Sequence, residues 1–219
     1  MALHPGKRLV LTLLLGVLAV FALIAFFVVS LTFQPDDACQ EKGNSLDTYE
    51  ARRKMKIITD SLKSTRKGFV SLSEKEINAF LEATYSAPPP KTNGPPEKSG
   101  MLLRKCSVDL TPTNIVFYCW ASDDFFGRRF PLAWQRTASV KYEVDHWSFE
   151  VQKMKVGKIT IPSAFWPTIS GFFHAVDQTF ANLAPSLTKI PAVELAADKE
   201  KGGTQFILYN YIPETLKNQ

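Results

Sequence analysis

The sequence predicts an α+β protein: an N-terminal transmembrane helix followed by a strongly curved antiparallel sheet packed on helices. Three patterns carry that prediction. An unbroken run of 25 residues without charge extends from Leu9 to Phe33. Beyond it, several segments alternate apolar and polar residues with period two, and three others repeat apolar residues every three or four positions. With 219 residues, 45% hydrophobic and 12% aromatic, the chain is too apolar for a disordered protein. Taking the 25-residue run from 219 leaves 194, enough for one globular domain and its connections. No second apolar run approaches the roughly 18 residues a further crossing needs, which excludes a multi-span transporter.

The apolar run comes first. As a helix it reaches about 37 Å, sufficient for a hydrocarbon core of about 30 Å with some tilt. His4, Lys7 and Arg8 precede it, and Pro35, Asp36 and Asp37 follow it. Lys7 and Arg8 favour a cytoplasmic short end. The run is longer than the roughly 7–15 apolar residues of a cleaved signal peptide, and no small-x-small cleavage site follows. It therefore reads as an uncleaved anchor, with residues 1–8 a cytoplasmic stub and 9–33 the span. Without Lys7 and Arg8, 24 basic residues face 21 acidic ones, a net charge of +3. That is too mild for nucleic acid, and compatible with weak attraction to anionic headgroups.

Residues 34–67 form a membrane-proximal connector containing a basic helix, Leu46 to Arg66. Ala51, Met55, Ile58 and Leu62 recur at helical spacing, while Arg52, Arg53, Lys54, Lys56, Lys63, Arg66 and Lys67 populate the rest. Such a helix either rests on headgroups or packs its narrow stripe on the domain and leaves its bases in water. The outer domain occupies residues 68–219. Phe69 to Leu72 reads as a short strand, and Ser73 with Glu76 forms a capping box opening a helix with Ile77, Phe80 and Leu81 on its buried face. Residues 86–100 hold five prolines and two glycines, so this is a loop or extended spacer.

Leu102 to Ala121 reads as a hairpin around Thr111-Pro112-Thr113-Asn114. With Pro112 and Thr113 as the central turn residues, Cys106 faces Cys119 in a non-hydrogen-bonded pair, where Cα atoms lie about 4.5 Å apart. A disulfide is geometrically suited to that pair and to an oxidising compartment; two buried thiols are the alternative. A three-residue turn would shift the register and separate them. Cys39 is left over. Arg128 to Val144 and Trp147 to Val156 follow as strands about an Asp145-His146 turn, and Lys158 to Ile161 continues to Pro162. A third helix, Pro167 to Leu183, carries Ile169, Phe172, Val176, Phe180 and Leu183 at steps of three and four, with Phe165 and Trp166 ahead of it and Phe173 beside it. Ala192–Ala197 and Thr204–Tyr211 close the chain as a hairpin.

The residues offer little for catalysis. His174 and Asp177 could share a helix face, but no further His or Cys stands at a metal-ligand spacing, so no metal and no cofactor are expected. No nucleophile elbow, phosphate loop, H-E-x-x-H or dinucleotide glycine pattern is present. Asp123 and Asp124 are adjacent, and adjacent side chains of a strand point apart. The aromatic helix is either plain core or one wall of an apolar groove, and periodicity does not separate these readings.

The order of elements, with Val70-Ser71-Leu72-Ser73-Glu74-Lys75-Glu76-Ile77-Asn78-Ala79-Phe80-Leu81 early and Val156-Gly157-Lys158-Ile159-Thr160-Ile161-Pro162 before a helix, resembles the YpmS-like family of membrane-anchored bacterial proteins. More loosely it is similar to tubular lipid-binding (TULIP-like) domains. The resemblance spans roughly Gly68 to Tyr211 and implies a single-pass protein of the bacterial inner membrane with its domain outside the cytoplasm, a curved sheet wrapping a helix around an apolar tunnel, and no catalytic residues. The expected activity is therefore non-enzymatic: binding of a membrane lipid or other apolar ligand by Phe165, Trp166, Ile169, Phe172, Phe173, Val176 and Phe180. The alternative is an accessory subunit whose sheet edge or Pro88–Pro96 loop docks a membrane-protein partner.

Overall fold

The structure, a computed structural model, describes residues 16–23, 25, 26, 29, 30, 42–85, 102–125, 128–143, 146–167, 189–198 and 202–217. The described part of the apolar run is helical. Seven of its large apolar side chains, from Val17 to Val29, are 50–73% exposed. At 3.6 residues per turn those positions point all around the helix axis. Among the described residues no helix is long and apolar enough to cross a membrane.

Helix α1 (Ser45–Ser61) begins at Asn44, whose side chain accepts from the Leu46 and Asp47 amides while Asp47 accepts from the Asn44 amide at 2.7 Å. This capping box was not read from the sequence. Ala51, Met55 and Ile58 face the core, so the basic residues form the outer surface of a packed helix. The helix ends earlier than its periodicity suggests, because Asn210 reaches in from the far end of the chain. Asn210 Nδ2 donates to the Ser61 and Arg66 carbonyls, and its Oδ1 accepts from the Gly68 amide. A polar clamp therefore replaces the last predicted turn.

Strand β1 (Phe69–Ser73) leads into helix α2 (Glu74–Tyr85) through the expected capping box: Ser73 Oγ accepts from the Glu76 amide, and Glu76 accepts from the Ser73 amide. Lys54 Nζ reaches both Glu76 oxygens, at 2.6 and 2.8 Å, and clasps α1 to α2.

The strands are β2 (Leu102–Leu110), β3 (Ile115–Phe125), β4 (Arg128–Glu143), β5 (His146–Val156), β6 (Ile159–Thr160), β7 (Ala192–Ala197) and β8 (Thr204–Tyr209); a short helix α3 (Glu214–Lys217) follows. The protein is α+β, as the sequence predicts, but its described strands form two antiparallel sheets where one was expected. One is a five-stranded meander, β2-β3-β4-β5-β6, and the other a three-stranded sheet ordered β1-β8-β7. Among the described residues, side chains rather than a backbone ladder join them. Val193 of β7 donates its amide to Tyr142 Oη at 2.8 Å, the Tyr142 hydroxyl bonds the Val193 carbonyl, and Trp147 Nε1 donates to the Ile190 carbonyl at 2.7 Å. One apolar core lies between helices and sheets, with Ile58, Leu72, Leu81, Val108, Trp134, Met154, Val193, Phe206 and Leu208 among its buried members.

Candidate functional site

The two faces of the five-stranded sheet differ in chemistry. On the core face, register aligns Cys106, Cys119, Trp134, Val156 and Ile159 across all five strands. The turn is the predicted one: the Thr111 amide donates to the Asn114 carbonyl at 2.9 Å, and Cys106 pairs with Cys119. Counting out from that bond makes theirs a non-hydrogen-bonded pair. The Val108 amide and carbonyl engage Asn78 rather than β3, and two residues along the strand the parity is the same. Both thiols are buried and their sulfurs lie 2.8 Å apart.

On the opposite face, Ser107, Tyr118 and Gln135 lie in one row across β2, β3 and β4. They are 5%, 2% and 6% exposed, so this face too is sheltered from water. Trp120 stacks on Tyr118 with ring centroids 6.2 Å apart, and Lys105 Nζ lies over the Trp120 ring. Among the described residues, Ser107 Oγ and Gln135 Oε1 are buried with no hydrogen-bond partner. Two strand spacings put them about 10 Å apart on either side of Tyr118. An unmatched buried polar atom costs about 1–3 kcal/mol, so two of them bracketing an aromatic pair need a physical reason.

A second region lies where the apolar helix meets this sheet. The Lys158 amide donates to the Ser30 carbonyl at 3.0 Å. Gly157 has a φ of 56°, a left-handed conformation that suits glycine, and its amide donates to the Ala133 carbonyl at 2.7 Å. The chain then returns as β6 and enters a 3₁₀ turn at Ser163–Phe165, closed by the Phe165 amide donating to the Pro162 carbonyl.

Of the residues expected to bind ligand, two are described. Phe165 stands 58% exposed on that turn. Trp166 packs against the core, its Nε1 donating to the Ile161 carbonyl at 2.9 Å. Ile169, Phe172, Phe173, Val176 and Phe180 lie outside the described residues, as do His174, Asp177, Cys39 and the 86–100 loop. Ser107 and Gln135 were not singled out from the sequence. Each sits at a position that alternation would mark as outward, and nothing local signals that the outward face is covered. Among the described residues no group of three or more His, Cys, Asp or Glu converges as a metal site. No family model, curated protein or solved structure matches the chain.

Proposed function

We propose that this is a single-pass, membrane-anchored, non-enzymatic protein whose domain lies outside the cytoplasm and binds a lipid or other apolar ligand against the five-stranded sheet. The observation that carries the binding reading is the sheltered row Ser107–Tyr118–Gln135, where an aromatic surface is flanked by two unmatched polar atoms. An apolar body over Tyr118 and Trp120 would gain about 25 cal/mol per Å² buried. A polar head carrying N–H or O–H donors would satisfy Gln135 Oε1 and exchange a bond with Ser107 Oγ. In this reading the sheet curves over the ligand, and Ile169, Phe172, Phe173, Val176 and Phe180 supply the facing wall. The anchor is supported by the apolar side chains exposed around every side of the N-terminal helix, a surface suited to lipid and costly in water.

The test uses the full-length chain extracted in mild detergent and examined by native mass spectrometry. Lipid should co-purify, and Ser107→Ala combined with Gln135→Met should lose most of it while leaving the melting temperature equal or higher. Replacing unmatched polar groups by apolar ones of similar size removes a penalty. Wild type without lipid, or a variant that retains it fully, overturns the reading.

The same compartment would oxidise Cys106 and Cys119 to a disulfide. Each thiol gives up one proton and one electron, and the electrons pass to a disulfide oxidant by thiol exchange. Alkylation of the denatured chain should leave both cysteines unmodified until reductant is added; labelling without reductant counts against the assignment.

A further inference from the structure

The bond from the Lys158 amide to the Ser30 carbonyl fixes a level as well as a contact. Ser30 is the 22nd residue of the uncharged run that starts at Leu9. On the anchor reading, a helix over that run would put Ser30 about 32 Å from its start, where a hydrocarbon core of about 30 Å gives way to headgroups. The same reading would hold the β5–β6 turn and the 3₁₀ turn after it at the membrane boundary. Lys158, Thr160 and the stretch from Pro162 to Phe165 are exposed there. The loop is braced from below: Trp166 packs on the core and ties its indole to the Ile161 carbonyl, while the Ile161 amide donates to Met154. A braced support thus presents one large apolar ring, Phe165, outward.

Along the stretch of sequence that contains this turn the charge has one sign. Between Glu150 and Asp177 the chain has no acidic residue, and it carries Lys153, Lys155 and Lys158. An aromatic ring beside lysines at this depth is the chemistry that suits an interface with anionic headgroups.

We propose that the Lys158–Phe165 segment is a second, peripheral membrane contact beside the anchor, with Phe165 inserted at the boundary of headgroups and acyl chains and Lys158 facing the phosphates of anionic phospholipid. This rests on the anchor reading. A double attachment, by the helix and by this turn, fixes the tilt of the five-stranded sheet above the bilayer, where a single flexible tether would not.

The experiment uses the full-length chain reconstituted into phosphatidylcholine vesicles with and without phosphatidylglycerol. A photo-reactive benzoylphenylalanine replaces Phe165, or, as comparison, Phe69, which is 63% exposed on β1. β1 is the edge strand of the three-stranded sheet furthest from β7. Irradiation should give lipid adducts at 165 and few at 69. Lys158→Glu should cut the adduct yield at 165 about five-fold in vesicles containing phosphatidylglycerol and leave it unchanged in phosphatidylcholine alone. Cross-links at 165 to a second copy or another protein, equal lipid labelling at 69, or a yield unmoved by Lys158→Glu overturns the proposal. Carbonate washing separates the two failures. A chain that resists carbonate while 165 fails to reach lipid refutes this contact alone, and a chain released by carbonate refutes the anchor and the contact together.

Discussion

The two ends of the five-stranded sheet handle exposed backbone in opposite ways. At the β2 end, helix α2 lies along the edge and its side chains take the place of a neighbouring strand. Asn78 Nδ2 donates to the Val108 carbonyl at 2.9 Å, and Asn78 Oδ1 accepts from the Val108 amide at 2.7 Å. Glu74 Oε2 accepts from the Leu110 amide at 3.0 Å. At the other end β6 is only two residues long, followed by Pro162, with Lys158 in the turn before it. Short strands, proline and lysine are the usual means of blunting an open edge against other proteins. The β2 end is closed by the protein itself. The β6 end lies beside the helix that the proposal places in lipid, with the Lys158 amide bonded to the Ser30 carbonyl.

The largest expected effect breaks the closed end. Asn78→Ala leaves the Val108 amide and carbonyl buried without their partner, and should destabilise the fold by about 2–4 kcal/mol. Asn78→Asp keeps an acceptor for the amide but sets a buried carboxylate against the Val108 carbonyl, so at neutral pH it should cost at least as much as Ala and recover part of that as the carboxyl is protonated. Urea unfolding of the full chain in detergent measures both. A loss below about 0.5 kcal/mol for Asn78→Ala, the size of an ordinary surface change, would mean that water closes this edge as well as the side chain does.

The contrast also explains how much could be read before the structure. The β2–β3 register, the Cys106–Cys119 pairing, the Ser73–Glu76 cap and the closing hairpin were legible, because turn chemistry and capping act over three or four residues. The division into two sheets was not. It depends on Tyr142 meeting Val193 and on Trp147 meeting Ile190, contacts between residues more than forty positions apart with no local signature. Asn78 was hidden for a related reason: within a helical pattern it looks like one more polar residue, and only the β2 backbone beside it gives it a role. Of the candidate site, Trp166 and Phe165 were flagged as aromatic, but their division between core and surface is set by the 3₁₀ turn. Ser107 and Gln135 escaped because strand alternation marks a face without saying whether anything covers it.

The smallest expected effect sharpens the picture of the closed end through its charge. Asp109 sits on β2 between the two residues bonded by Asn78 and Glu74. Burial pushes its carboxyl above the ordinary value of 3.8, and a side-chain hydrogen bond with Glu74 opposes that only in part. The sign follows from proton binding: with its folded pKa above its unfolded one, Asp109 binds protons more tightly in the folded state. Its contribution to stability is therefore most favourable below 3.8 and declines as pH rises to the raised folded value. Asp109→Asn removes the ionised form, so the variant should be slightly more stable than wild type at neutral pH, by a few tenths of a kcal/mol for a half-buried group still screened by water. The gap should close as the pH falls through that window, which parallel urea titrations at several pH values would show. If Asn instead costs stability at neutral pH, the Asp109 carboxylate is helping to hold the β2 edge against α2, and the sealing of that end owes as much to charge as to the Asn78 amide.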